Sequence, residues 1–119
     1  IESYLNHKGS AFTQRFDANS YLYITKAMDY FDIGRSYGPL KEAFAQVAAR
    51  CLFVSYSSDW LFPTSQTKEM VRALLSNGKP VSFIEIDSPY GHDAFLVEVE
   101  KLSRIVSGFL SGVTQEVAP

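Results

Sequence analysis

The sequence predicts an α/β fold in which parallel strands are connected by crossover helices. Two short apolar runs, Cys51–Tyr56 (CLFVSY) and Val81–Ile86 (VSFIEI), fit strands that are buried on both faces. A stretch with helical spacing separates the runs, and a strand–helix–strand unit of this length implies parallel strands with a right-handed crossover. Because two parallel strands do not form a stable sheet alone, we expect further strands upstream of Ile1.

Residues 1–37 differ from the rest of the chain in their aromatic content, with eight Tyr and Phe residues. Apolar residues there recur at spacings of three and four, which predicts a helix over residues 20–31. Its apolar face consists of Tyr21, Ile24, Met28 and Phe31. Ordinary core packing is the simplest interpretation of this face. A lid or a subunit interface is the alternative, because aromatic side chains supply large buried areas there.

Residues 38–112 alternate helical and strand patterns. Pro39 suits the first position of a helix, whose apolar face would hold Leu40, Phe44 and Val47. Residues 65–76 form a second predicted helix, which Gly78 ends because glycine tolerates the left-handed conformation. Residues 94–110 form the last predicted helix. Residues 113–119 are expected to form a tail.

Composition argues against several classes of partner. The net charge is -2, and without a basic surplus nothing favours nucleic acid or an anionic membrane. No apolar run approaches the ~20 residues of a transmembrane helix, and the first ten residues do not resemble a signal peptide. Cys51 is the only cysteine, so neither an internal disulfide nor a multi-cysteine zinc site is expected, which agrees with a cytoplasmic location. Two histidines, His7 and His92, are too few to suggest a metal site.

Each predicted strand ends in a polar turn, at residues 57–63 and 87–93. Ligands of open α/β sheets bind beyond the carboxyl ends of the strands, so we expect Asp59 and His92 to lie close together. The carboxylate can then accept the imidazole Nδ1–H and stabilise the imidazolium that forms when the ring takes a proton. An acid that precedes a histidine is the order of α/β-hydrolase triads. No serine here sits on a glycine-flanked strand-to-helix turn, so we expect the nucleophile upstream of Ile1.

Each of these residues also has a simpler interpretation. An aspartate after a strand, such as Asp59, often serves only a turn or a cap, and a histidine in a Pro/Gly loop is often a surface residue. Asp93 precedes the last helix and is a candidate for its N-cap. His7 is expected in a polar surface turn, and Cys51 is expected to be a small packed thiol.

Three segments resemble the homoserine O-acetyltransferase family. They are Phe16–Thr25 (FDANSYLYIT), Ser58–Pro63 (SDWLFP) and Asp87–Leu96 (DSPYGHDAFL), and the similarity spans roughly residues 2–110. The resemblance implies the C-terminal part of an α/β-hydrolase fold over residues 38–112. It also implies that residues 1–37 are the end of a helical lid that forms the dimer contact.

The resemblance further implies roles for three residues. Asp59 and His92 would be the triad acid and base, and Asp93 would hold the ammonium group of the amino-acid substrate. The complete enzyme would transfer an acetyl group from acetyl-CoA to the hydroxyl of L-homoserine in methionine biosynthesis, without a bound cofactor. This chain alone, lacking the nucleophile, is predicted to be inactive. The alternatives are a succinyl-CoA donor, a serine acceptor, a plain esterase, and a non-catalytic module that binds through its aromatic N-terminal region.

Overall fold

The computed structural model describes the backbone of residues 1–117 and the side chains of residues 1–112. Contacts within the chain divide it into two compact units, Ile1–Ile33 and Gly34–Pro119. The tail expected at residues 113–119 lies outside the residues whose side chains are described. Within the described range, every helix is too short or too polar to span a bilayer.

The first unit consists of helices α1 (Glu2–Arg15) and α2 (Ala18–Tyr30). Helix α1 was not expected, and it contains His7, so the predicted polar turn at His7 is wrong. Helix α2 confirms the helix predicted near residues 20–31. It begins at Ala18 because the Asp17 carboxylate caps it, accepting a hydrogen bond from the Ser20 N–H at 2.8 Å.

Most apolar residues of the first unit are exposed. Neither α1 nor α2 contains a buried residue. On the predicted apolar face of α2, Met28 and Phe31 are each 67% exposed. The face is thus not buried by the first unit itself, and core packing, a lid and a subunit interface all stay predictions.

The second unit contains the sheet. Strands β1 (Cys51–Tyr56) and β2 (Val81–Ile86) have the predicted bounds and pair in parallel. Cys51 lies opposite Val81, and Tyr56 lies opposite Ile86. The predicted parallel arrangement of these two strands is confirmed.

Five α-helices accompany the strands in the described part of the chain: α3 (Ile33–Tyr37), α4 (Leu40–Ala43), α5 (Thr64–Ser76), α6 (Ala94–Val97) and α7 (Val99–Val117). Helix α5 is the predicted crossover helix, and it is followed by Gly78 with φ +65°. The glycine allows the left-handed backbone that turns the chain back toward β2.

Two predicted helices differ from the observed ones. The helix after Pro39 ends at Ala43, and turns continue from Phe44, where φ is -92° and ψ is 0°. The helix predicted over residues 94–110 is divided at Glu98, whose ψ of 37° departs from the helical value of about -42°. The apolar residues keep their spacings of three and four across both interruptions, because residues on either side of a turn can still pack on the same face. The sequence pattern therefore does not reveal the interruptions.

The core lies on both faces of the sheet. Tyr56, Ile86 and Ala94 form one buried cluster, with Val54 and Ile105 packed against it. Neighbouring residues of a strand point to opposite faces, and the Ser55 hydroxyl on the other face meets Thr64 at the start of α5 at 3.0 Å. Helix α5 therefore covers one face, and α6 and α7 cover the other.

Candidate active site

The candidate site lies where both strands end. Because β1 and β2 are parallel, the turns after Tyr56 and after Ile86 emerge at the same edge. The Ser57 N–H donates to the Ile86 carbonyl at 3.0 Å, which extends the pairing one residue beyond the strands. The two turns consequently start side by side.

Two serine hydroxyls then connect the turns, and we call Ser57 and Ser58 the serine bridge. The Ser57 hydroxyl donates to Asp87 Oδ1 at 2.7 Å and accepts the Ser88 N–H at 3.1 Å. The Ser58 hydroxyl donates to the Ser88 carbonyl and accepts the Gly91 N–H at 2.8 Å. The sequence did not single out these serines, because hydroxyl residues after a strand are equally typical of any turn.

Asp59 is held by backbone donors and by an imidazole. Its Oδ1 accepts the N–H groups of Leu61 and Phe62, both at 3.0 Å, and its Oδ2 faces His92 Nδ1 at 3.0 Å. The side chain is only 9% exposed. Asp59 thus serves its own turn, as the simpler interpretation had it, and contacts the histidine as well.

These contacts favour the ionised form of the carboxyl group. The hydrogen bond from the Phe62 N–H is the main cause that holds the pKa of Asp59 below its ordinary value. Burial acts in the opposite direction, and the hydrogen bonds from His92 and Leu61 lower the pKa further. Asp59 is therefore a carboxylate at neutral pH, able only to accept hydrogen bonds.

His92 sits on a short 3₁₀ helix, Gly91–Asp93, that follows β2. Gly91 has φ +63°, a left-handed conformation that residues with a side chain rarely adopt. Since Asp59 can only accept, Nδ1 of His92 donates to it, and in a neutral ring Nε2 is then the nitrogen whose lone pair can take a proton. The ring lies 5.1 Å from the Phe62 ring, and the side chain is 37% exposed, so His92 is partly buried at the edge of the site.

The structure thus brings together the two residues that the sequence placed at one sheet edge. Both line an open cavity with a volume of about 270 Å³, which Tyr56, Phe62 and Phe95 also line. Their catalytic role stays a prediction, because geometry alone does not test it. Nothing in the geometry contradicts the pairing.

Asp93 is exposed, next to His92 in the chain. It occupies the N-cap position of α6, yet its side chain makes no capping hydrogen bond. The simpler interpretation as a functional N-cap is therefore not supported by a contact. The role of Asp93 in binding an ammonium group also stays a prediction.

One polar atom near the site has no partner. The Tyr56 hydroxyl is buried and lacks a hydrogen bond among the described residues. Burial raises the pKa of the Tyr56 phenol, and the nearby Glu98 carboxylate raises it further. The phenol is consequently protonated over the physiological pH range.

The described residues contain no group of three or more His, Cys, Asp or Glu side chains that could hold a metal ion.

Comparison with known proteins identifies the relatives of this chain, although no family model matches it. The homoserine O-acetyltransferase of Gluconobacter oxydans (strain 621H) is 53% identical over 119 residues, which cover 99% of this chain and 30% of the relative. That of Methanosarcina acetivorans is 55% identical over 113 residues, covering 95% and 21%. The homoserine O-succinyltransferase of Bordetella pertussis (strain Tohama I) is 48% identical over 118 residues, covering 98% and 28%.

These relatives are all acyltransferases by name, which defines the class of protein to which the chain is related. Within that class, the chain corresponds to a segment of the homoserine O-acetyltransferase family, so the resemblance found in its three segments is confirmed. The chain spans only part of the length of these relatives, 30% of the Gluconobacter protein and 21% of the Methanosarcina protein.

Proposed function

We propose that the protein to which this chain belongs is a homoserine O-acetyltransferase, and that the chain supplies its catalytic acid and base. The observation that carries the proposal is the 3.0 Å contact between Asp59 and His92. It occurs in a chain about half identical to enzymes named for this activity. An ionised acid that orients an imidazole is the arrangement that acyl-transfer triads require.

The first half-reaction forms an acyl-enzyme. His92 Nε2 takes the proton of a serine hydroxyl outside this chain, and the serine oxygen attacks the thioester carbonyl of acetyl-CoA. The tetrahedral intermediate collapses, the carbon–sulfur bond breaks, and the CoA thiol leaves with the proton from His92. Asp59 keeps the proton on Nδ1 and stabilises the imidazolium.

The second half-reaction transfers the acetyl group. The hydroxyl of L-homoserine loses its proton to His92 Nε2 and attacks the acyl-enzyme carbonyl. The ester to the catalytic serine breaks, and the serine oxygen recovers the proton from His92. We assign to Asp93 the contact with the ammonium group of homoserine, because its carboxylate is exposed, uncapped and adjacent to His92.

We further propose the architecture of the complete enzyme. Residues 38–112 belong to the C-terminal part of an α/β-hydrolase core, and residues 1–37 are the end of a helical lid. The exposed apolar residues of α2 support a lid that excludes water, which favours transfer over hydrolysis, and a homodimer contact through the same region. The enzyme would act in methionine biosynthesis in the cytoplasm with acyl-CoA as co-substrate and no bound cofactor.

A second candidate is homoserine O-succinyltransferase. The relative from Bordetella pertussis has this name and is 48% identical to the chain, little less than the acetyltransferases. Asp59 and His92 would act identically with either donor, because neither residue recognises the acyl chain. Only the donor pocket, which this segment does not define, separates the two functions.

Kinetic assays on the complete protein test both proposals. CoA release is measured with acetyl-CoA or succinyl-CoA as donor and L-homoserine or L-serine as acceptor. His92→Ala and Asp59→Ala are expected to lower kcat by about 10³-fold or more with the fold retained. Glu69→Ala, an exposed change on α5, serves as the control. Wild-type turnover in either site variant refutes the assignment, and no turnover with any donor and acceptor pair favours a non-catalytic module.

A further inference from the structure

The turn from Ser88 to Gly91, which directly precedes His92, lacks the hydrogen bond that usually joins the two ends of a turn. Pro89 and Tyr90 are its central residues, and Tyr90 has φ -88° and ψ 7°, the values of the third position in a type I turn. In a closed turn the carbonyl of Ser88 would accept the N–H of Gly91. Here both groups bond instead to the hydroxyl of Ser58, which lies between them.

This hydroxyl therefore fixes the width of the turn. It donates to the Ser88 carbonyl and accepts the Gly91 N–H at 2.8 Å, so that both of its hydrogen-bonding roles are used on one turn. Ser88 is only 2% exposed, which makes water a poor replacement for the serine. Gly91 directly precedes His92, and Ser58 directly precedes Asp59. The same contact thus links the backbone positions next to both members of the pair.

We propose that Ser58 is a positioning residue that sets His92 against Asp59 through the turn from Ser88 to Gly91. The proposal rests on the proposed acyl-transfer function and adds a residue to it. Ser58 touches no reacting atom, since its hydroxyl is occupied by the two backbone groups. It acts by holding Gly91 at the distance at which Nδ1 of His92 meets Oδ2 of Asp59, 3.0 Å away.

Removal of the hydroxyl has a definite consequence. The Ser88 carbonyl and the Gly91 N–H lose their common partner, and the turn can satisfy them by closing directly. A direct hydrogen bond of about 2.9 Å between the Gly91 N–H and the Ser88 carbonyl would then replace the two that run through the Ser58 hydroxyl. Gly91 would move toward Ser88 by on the order of 1 Å. A misplacement of about 1 Å costs an enzyme roughly 10²-fold in rate. The change should therefore appear in kcat more than in substrate binding.

The test uses Ser58→Ala in the complete protein. We expect kcat to fall about 10- to 100-fold while KM for both substrates changes less than about threefold. Ser58→Thr retains a hydroxyl and is expected to recover most of the activity. Ser76→Ala is the matched control, because the Ser76 hydroxyl also donates to a backbone carbonyl, Ala73 at 2.8 Å, but at the far end of α5. If the alanine variant does not fold, Ser58→Cys replaces it, with an intermediate loss of kcat expected.

A double-mutant cycle separates positioning from a merely structural role. If Ser58 acts through the Asp59–His92 pair, Ser58→Ala should cost less than about threefold in an Asp59→Ala background. The downfield proton resonance of the His92 Nδ1–H should also weaken in Ser58→Ala. Wild-type kcat in Ser58→Ala, or an equal loss in both backgrounds, overturns the positioning role. Full turnover in the Asp59→Ala parent instead sinks the proposed function, so the two failures are distinguishable.

Discussion

Asp59→Asn in the complete protein isolates the chemical role of the carboxylate from its structural one. The amide oxygen of asparagine can still accept the N–H groups of Leu61 and Phe62, which lie 3.0 Å from Oδ1. The amide nitrogen would take the place of Oδ2 and donate to Nδ1 of His92. Nδ1 would then lose its proton to the other ring nitrogen, because a donor must face an acceptor.

The expected loss of rate follows from that exchange of tautomers. With the proton on Nε2, His92 has no lone pair directed at the nucleophile and is no longer a base. Such a change lowers kcat by about 10⁴-fold, which is about 5.6 kcal/mol at roughly 1.4 kcal/mol per tenfold. The loss of stability should be smaller, about 1–2 kcal/mol, because the two backbone hydrogen bonds survive and the third is reversed, so that mainly the negative charge of the acceptor is lost.

Steady-state release of CoA and urea denaturation measure the two quantities. Asp59→Ala is the companion variant, since it removes the turn contacts together with the contact to His92. We expect the two variants to have similar kcat, and the alanine variant to be the less stable. Asparagine turnover within about tenfold of the wild type would refute the orientation of His92 by Asp59.

Two further predictions concern the same loops. Gly91→Ala places a side chain at φ +63°, so we expect a loss of about 1–2 kcal/mol in unfolding free energy and a lower kcat, whereas Gly108→Ala, in open space within α7, should be neutral or stabilising. The lowered pKa of Asp59 adds stability that is fully present above its ordinary value of 3.8 and is lost as the pH falls through the lower folded value. The urea midpoint should therefore fall less between pH 7 and pH 3 in Asp59→Asn than in the wild type. An equal fall of the midpoint in both proteins would contradict a lowered pKa of Asp59 in the folded state.

The sequence predicts those features that depend on local pattern. The apolar runs define β1 and β2 to the residue because polar turns bound both runs, although β2 is exposed at Ser82, Ile84 and Glu85 and so is not buried on both faces as expected. Parallel pairing then brings Asp59 and His92 to one edge without any knowledge of the loops. Helix α1 escapes detection because its apolar residues do not form a single buried face.

Other features depend on distances that only the folded chain defines. The division at Glu98 leaves the apolar spacing of the last helix intact, so the pattern cannot reveal it. The serine bridge is hidden for a different reason. Ser58 looks like an ordinary turn residue until the backbone of Ser88 and Gly91 is placed beside it. Its importance is a property of two loops together, and neither loop shows it alone.

The local origin of the site also explains how a fraction of a protein can hold a formed acid–base pair. Every hydrogen bond that orients Asp59 or His92 comes from residues 57–92, in one continuous strand–helix–strand unit. The serine bridge and the left-handed Gly91 belong to the same unit. The hydrogen bonds of the pair therefore come from within this unit, and Phe95, which follows it, adds a ring contact to His92 at 6.3 Å. In the proposed mechanism, the remainder of the protein supplies the serine that meets Nε2, and the Asp59 contact already orients the ring toward it.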